Sequence, residues 1–290
     1  MRKLLILSGK GGTGKTTAAA AFIRFAEARA FADCDVDAPN LHLVEKNLGE
    51  PECFDYLGSH KAVVDPEKCV NCGSCQAVCR FDAIGADEKS HFVNEFACEG
   101  CGVCAAVCPQ GAISLRDDVA GEVRLYLGER VFATAELKMG RGNSGKLVAE
   151  VKSALLKNAP AADLAIIDGS PGIGCPVIAS MSGVDLVLIV AEPSVSGISD
   201  LERILKTAAV FRTKAVVCVN KWDTSPEKTE AIERFCAENE IAYAGRIPYD
   251  AEASNAINAG KSVADIDCAA SRALREVFDR VTGQLTGSTQ

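Results

Sequence analysis

Short apolar runs of strand length recur along the chain and alternate with longer stretches of helical periodicity. Residues 4–7, 30–33, 164–167, 184–191 and 215–219 are almost wholly apolar, as strands covered on both faces must be. Residues 123–127 and 131–137 read as two more strands, and the Ala-rich stretch 17–30, with 146–156 and 198–210, as helices. Strand and helix in alternation predict an α/β fold, a mostly parallel doubly wound sheet with helices on both faces. Residues 266–281 form an amphipathic stripe of Leu274, Val277, Phe278 and Val281. Acids mixed among its arginines, and the polar uncharged stretch 282–290 that follows, favour packing on the domain over a membrane surface.

The first run leads into chemistry. Gly9, Gly14, Lys15 and Thr16 have the spacing G-x-x-x-x-G-K-T between a predicted strand and a predicted helix. Glycines let successive backbone N–H groups curl round phosphate oxygens, and the following helix adds its positive end. The predicted phosphate cradle is Gly9, Gly11, Gly12, Thr13, Gly14, Lys15, Thr16 and Thr17, with Lys15 reaching the β- and γ-phosphates and Thr16 ligating Mg²⁺. Near 30–33, Asp33, Asp35 and Asp37 alternate at a strand end, which suits Mg²⁺ and an attacking water. Asp168 ends the apolar run 164–167 and is the expected partner of Mg²⁺ through water. The stretch 140–146, GRGNSGK, is no second phosphate loop, because Leu147 stands where a hydroxyl must bind Mg²⁺; Asn143 or Ser144 reads there as a helix cap.

The strand–helix rhythm breaks at about residue 60. Cys69, Cys72, Cys75 and Cys79 form C-x2-C-x2-C-x3-C, and Cys98, Cys101, Cys104 and Cys108 repeat it before Pro109. Three thiolates on a short loop grip three corners of a cubane cluster, and the fourth serves the other cluster. One [4Fe–4S] cluster is therefore assigned to Cys69, Cys72, Cys75 and Cys108, and the second to Cys98, Cys101, Cys104 and Cys79. A zinc site pairs two C-x2-C arms per ion, and a third cysteine two residues on does not suit it. The repeat resembles a bacterial-type two-[4Fe–4S] ferredoxin, an α+β module, with Arg80 where the first run of that family has proline.

Composition narrows the function classes. The 290 residues carry 48% hydrophobic content, 31 basic against 39 acidic side chains and a net charge of −8, so neither nucleic acid nor stable membrane association is expected. Arg2 and Lys3 precede only four apolar residues, and no run approaches the ~18 of a membrane span; a cytoplasmic protein without a leader is expected. Its 14 cysteines then read as ligands or core residues, not disulfides.

With Lys10, the loop K-G-G-T-G-K-T resembles that of the MinD, ParA and nitrogenase iron protein superfamily of P-loop ATPases. The resemblance extends to 33–41 as switch I, to D-G-S-P-G at 168–172 as switch II, and to Asn220, Lys221 and Pro248 as base-contacting positions. It implies ATP rather than GTP and an ATP-dependent homodimer, or a heterodimer with a paralogue. Lys10 would touch the partner's nucleotide, Asp35 would position water, and Asp33 and Asp37 would join the Mg²⁺ shell. With Lys15 and Asp168, Lys10 and Asp35 complete the catalytic set. Cys175 has the offset of a cluster-binding cysteine in one branch of the family, but lacks a second ligand, so a buried thiol is expected. The domain plan is an ATPase at 1–58 and 119–290 interrupted by the ferredoxin module at 59–118.

Two functions follow from this plan. One is an ATP-hydrolysing protein that couples nucleotide state to electron transfer, with a redox partner protein; the alternative is a metallocofactor maturation ATPase acting on a maturation partner. A MinD-like positioning role leaves the eight repeated cysteines without a purpose.

Overall fold

The computed structural model describes residues 1–46 and 48–287, so the last of the polar stretch expected at 282–290 lies outside the described residues. The elements in chain order begin with β1 (Arg2–Leu7), α1 (Lys15–Phe25), β2 (Ala30–Asp33), β3 (Glu52–Leu57), β4 (Lys61–Val64), α2 (Ser74–Val78), β5 (Ile84–Ala86), β6 (His91–Val93), α3 (Val103–Val107) and β7 (Ile113–Arg116). They continue with β8 (Val119–Tyr126), β9 (Val131–Leu137), α4 (Ser144–Asn158), β10 (Leu164–Asp168), α5 (Cys175–Met181), β11 (Leu186–Ala191), α6 (Val195–Val210), β12 (Lys214–Asn220), α7 (Pro226–Glu238), β13 (Ala242–Ile247), α8 (Ala251–Asn258) and α9 (Ala269–Thr286). Among the described residues no helix is long and apolar enough to cross a membrane.

The chain divides into two compact units. The first comprises 1–53, 123–136 and 144–290, and among the described residues the large sheet has nine strands in the order β13-β12-β11-β1-β10-β2-β9-β8-β3. Strand β1 pairs in parallel with both β10 and β11, β10 with β2, β11 with β12, β12 with β13, and β2 with β9. This is the mostly parallel sheet expected from the apolar runs. Leu4–Leu7 and every residue of β11 are buried, as the central strands of a sheet covered on both faces must be.

Helix α1 buries Ala18, Ala19, Ala20, Ala21, Phe22 and Ile23; small side chains let it approach the strands closely. Phe22 meets Phe278 of α9 edge to face, with ring centroids 5.1 Å apart. Helix α9 buries the expected stripe of Leu274, Val277, Phe278 and Val281, and each such side chain contributes roughly 1.5–3 kcal/mol of burial. Helix α6 starts three residues before its expected position, because the Ser194 hydroxyl accepts the Gly197 N–H at 3.0 Å and caps it. Buried Lys152 on α4 donates to the carbonyls of Ala179, Ser180 and Ser182 at 3.0, 2.7 and 2.5 Å. It thereby supplies donors that the C-terminal end of α5 otherwise lacks.

The second unit comprises 54–122 and 137–143, wider than the expected insert of 59–118. It carries two antiparallel pairs, β4 with β7 and β5 with β6, and the one-turn helices α2 and α3. Its core is Ala62, Ala83, Ile84 and Ile113 packed with the thiols of Cys75, Cys98 and Cys104. Residues 137–143 belong here through Arg141, which pairs with Glu95 at 3.0 Å and Asp118 at 3.2 Å and lies 5.3 Å over the Phe96 ring. Asn143, immediately before α4, has a φ of 69°, and its amide donates to the Ser59 hydroxyl.

Candidate functional site

In the first unit, the carboxyl ends of adjacent parallel strands deliver their end residues to one edge, where open α/β sheets bind ligands. Strand β1 leads into the loop 8–14, β10 ends in Asp168, β2 in Asp33 and β12 in Asn220. Beside them lies a cleft of about 830 Å³ lined by Gly11, Gly12, Gly14, Lys15, Thr16, Thr17, Asp35, Asn220, Lys221 and Pro248, a size that suits a nucleotide. Gly14 opens α1 at a φ of 91°, and a Cβ there would strike the Asn220 amide; only glycine permits both the turn and the approach. Asn220 fixes the loop by donating to the Thr13 carbonyl at 2.7 Å, and Lys221 donates to the Gly12 carbonyl at 2.9 Å.

Lys15, Thr16 and Asp168 form one hydrogen-bonded group. The Lys15 ammonium is 2.6 Å from one Asp168 oxygen, and the Thr16 hydroxyl donates to the other at 2.6 Å. Asp35 approaches Lys15 to 4.0 Å. Burial opposes the charge on Lys15, but Asp168, Asp33 and Asp35 outweigh it and hold its pKa above the ordinary lysine value. Asp33 turns both oxygens to its own loop, one accepting the Asp35 N–H at 3.0 Å and the other the Asn40 and Leu41 N–H groups at 2.9 and 3.0 Å. Burial, then the charge of Asp168, pushes its carboxyl up to about 7. Asp35 is also raised, chiefly by burial. Asp168 and the Thr16 hydroxyl that donates to it are oxygen donors of the kind that Mg²⁺ takes.

Lys10 is held within its own chain. Its ammonium is 2.8 Å from Glu192 and 3.4 Å from the Ser194 hydroxyl, and Lys221 reaches the same Glu192 at 3.5 Å. Sequence reading missed Glu192; its one signal was a carboxylate immediately after the β11 strand.

In the second unit the two cysteine runs interleave. One cavity is lined by Cys69, Cys72, Cys75 and Cys108, and the other by Cys79, Cys98, Cys101 and Cys104. The halves have nearly the same backbone: Gly73 and Gly102 start α2 and α3 at φ of 77° and 78°. The Ala83 and Ala112 N–H groups point at the sulfurs of Cys79 and Cys108 at 3.4 and 3.3 Å, and the Ala62 N–H at that of Cys98 at 3.5 Å. Among the described residues no three His, Cys, Asp or Glu side chains converge on a single-ion site. Outside the runs Cys34, Cys218, Cys236 and Cys268 are buried, and burial pushes the Cys34 and Cys218 thiols up to about 12. Cys175 is exposed rather than buried, because it opens the short α5 after the loop 169–174; Cys53 is exposed too.

Loop, lysine, strand-end aspartate and sheet order together define a P-loop ATPase, a class that takes ATP with Mg²⁺. The chain belongs to the CobQ/CobB/MinD/ParA nucleotide binding domain family, which it matches over residues 4–263. An uncharacterized protein of Methanocaldococcus jannaschii is 34% identical over 224 residues, covering 76% of this chain and 78% of its own. A second uncharacterized protein of that organism is 28% identical over 265 residues, covering 86% and 87%. Among solved structures, the septum site-determining protein MinD complexed with Mg-ADP from Pyrococcus horikoshii is similar in fold, with a TM-score of 0.57, 16% identity, and 100% and 99% of the two chains covered.

Proposed function

We propose that this ATPase is an iron–sulfur protein in which nucleotide state governs electron transfer through two [4Fe–4S] clusters held by the inserted second unit. The observation that carries the reading is the grouping of thiols, four around each of two cavities. A cubane places its irons at separate corners and so suits thiols spread round a cavity, whereas a lone ion needs its donors about 2.3 Å from one point. Backbone N–H groups aimed at three of the sulfurs suit thiolates, which are strong acceptors. Such clusters, when bound, supply one-electron storage. The thiols would hold them, and the buried Ala62, Ile84 and Ile113 beside the thiols would limit the approach of water.

In the nucleotide cleft, Lys15 would bind the β- and γ-phosphates, Thr16 and Asp168 would hold Mg²⁺, and Asp35 would orient the attacking water. Asp33 shapes the loop that carries Asp35, its oxygens being bound to three backbone N–H groups. Asn220, Lys221 and Pro248 would flank the base. In an ATP-dependent dimer Lys10 would exchange Glu192 for the partner's nucleotide. The electron would pass to a redox partner protein.

Anaerobic preparation should yield about eight iron and eight sulfide per chain, and Cys108→Ser should damage the cluster of the first cavity while sparing the second. ATP turnover should differ between oxidised and reduced protein. Zinc in place of iron would overturn the reading. A maturation role draws support from one observation, the exposed Cys175 thiol. On that reading Cys175→Ser would block iron transfer to an apo-acceptor and leave ATP turnover intact.

A further inference from the structure

The two halves of the second unit repeat at a spacing of 29 residues, from Cys69 to Cys98 and from Cys79 to Cys108. The repeat pairs most wall positions of one cavity with a wall position of the other; Pro109 is an exception, its counterpart being the exposed Arg80, which lines neither cavity. Three of these pairs differ in polarity. His91, Gln110 and Ser74 line the cavity of Cys69, Cys72, Cys75 and Cys108. The matching positions in the cavity of Cys79, Cys98, Cys101 and Cys104 are Ala62, Phe81 and Val103. His91 and Ala62 are both buried, at 4% and 5% exposure, so that pair contrasts an imidazole with a methyl group away from solvent. A further pair sets the carboxylate of Glu99 in the second cavity against Val70 in the first.

Adding an electron makes a thiolate-ligated cluster more negative. Hydrogen-bond donors and polar groups at its wall stabilise that added charge, and apolar or anionic walls oppose it. All four differences act in one direction. Resting on the function proposed above, we infer that the two cavities are unequal redox sites and that His91 sets the difference. The electron is held at the cavity of Cys69, Cys72, Cys75 and Cys108. Each reduction takes one electron, carries a cluster from the 2+ to the 1+ state and requires no proton. His91 acts as a positioning and tuning residue through the thiolate-bound group and not as a ligand.

The test uses the full chain, prepared anaerobically and assayed for iron and sulfide, in a dithionite titration followed by electron paramagnetic resonance against potential. The wild type should reduce in two separate one-electron steps, and Cys108→Ser should remove the upper one. His91→Ala, which copies the Ala62 position, should lower the upper step by about tenfold in its equilibrium constant, ~59 mV for one electron, and leave the lower step in place. His91→Gln keeps an N–H donor and should retain most of the wild-type potential. Ala62→His should raise the lower step. Full iron content with coincident steps in the wild type, or with an upper step unmoved in His91→Ala, overturns this inference alone. A wild type that takes up no iron overturns the iron–sulfur reading, and this inference with it.

Discussion

The ammonium of Lys10 lies 2.8 Å from the carboxylate of Glu192, and the side chains are 40% and 22% exposed. Its hydrogen bond to Lys10, then the nearby charges, holds the Glu192 carboxyl below the ordinary range. A pair this open to solvent is worth at most about 1 kcal/mol, enough to hold Lys10 in place yet weak enough to be exchanged for a partner's phosphate. Glu192→Gln should therefore strengthen ATP-dependent self-association up to about fivefold, and Lys10→Ala should abolish the ATP dependence. Sedimentation velocity with a non-hydrolysable analogue measures both; unchanged association in both variants would remove Lys10 from the interface.

Lys15 and Asp35 should separate binding from hydrolysis. Lys15→Ala removes the cation that Asp168 and Asp35 surround. It should abolish ATP binding and also destabilise the chain, because a buried carboxylate loses its partner at a cost of about 3–5 kcal/mol. Asp35→Asn keeps the size of the side chain and should retain ATP affinity while losing at least about 100-fold in turnover, the usual reach of a positioned general base. Equal loss of affinity in both variants would contradict the role given to Asp35.

The Asp33 carboxyl makes the nucleotide-free chain sensitive to pH. Its folded pKa, about 7, lies above the ordinary carboxylate value of about 3.9. Between those values the folded chain keeps a proton that the unfolded chain has released, so this group's contribution to stability falls as pH rises through the window. Asp33→Asn cannot titrate. The melting temperature of the wild type, measured relative to that variant, should therefore drop steadily from pH 5 to pH 7. Parallel curves would show that Asp33 does not carry the shift.

Where apolar runs and glycines determine structure locally, the sequence was a sufficient guide. The all-apolar strands end at Asp33, Asp168 and Asn220, and the glycine loop precedes α1, because burial on both faces and positive φ leave few alternatives. Long-range ion pairs leave no periodic signal. Arg141 draws 137–143 to the second unit through Glu95 and Asp118, and nothing in the run GRGNSGK announces those partners. Glu192 shows in the sequence only as a carboxylate after β11, since its role depends on two lysines distant in sequence. His91 lacks ligand spacing and gains meaning only when the repeat aligns it with Ala62 across two cavities. The exposure of Cys175 depends on where a short helix begins, which residue type does not encode.

On the function proposed above, nucleotide state and cluster charge are coupled. The chain crosses between the two units four times, at 53–54, 122–123, 136–137 and 143–144. If ATP favours a conformation that alters the clusters' surroundings, reduction must change nucleotide affinity by the same factor. Anaerobic titration of a non-hydrolysable ATP analogue into oxidised and into dithionite-reduced protein tests this directly. The two affinities should differ by roughly 5- to 150-fold, the range of a typical coupling of ~1–3 kcal/mol. Equal affinities in the two redox states, with full iron content in both, would contradict it.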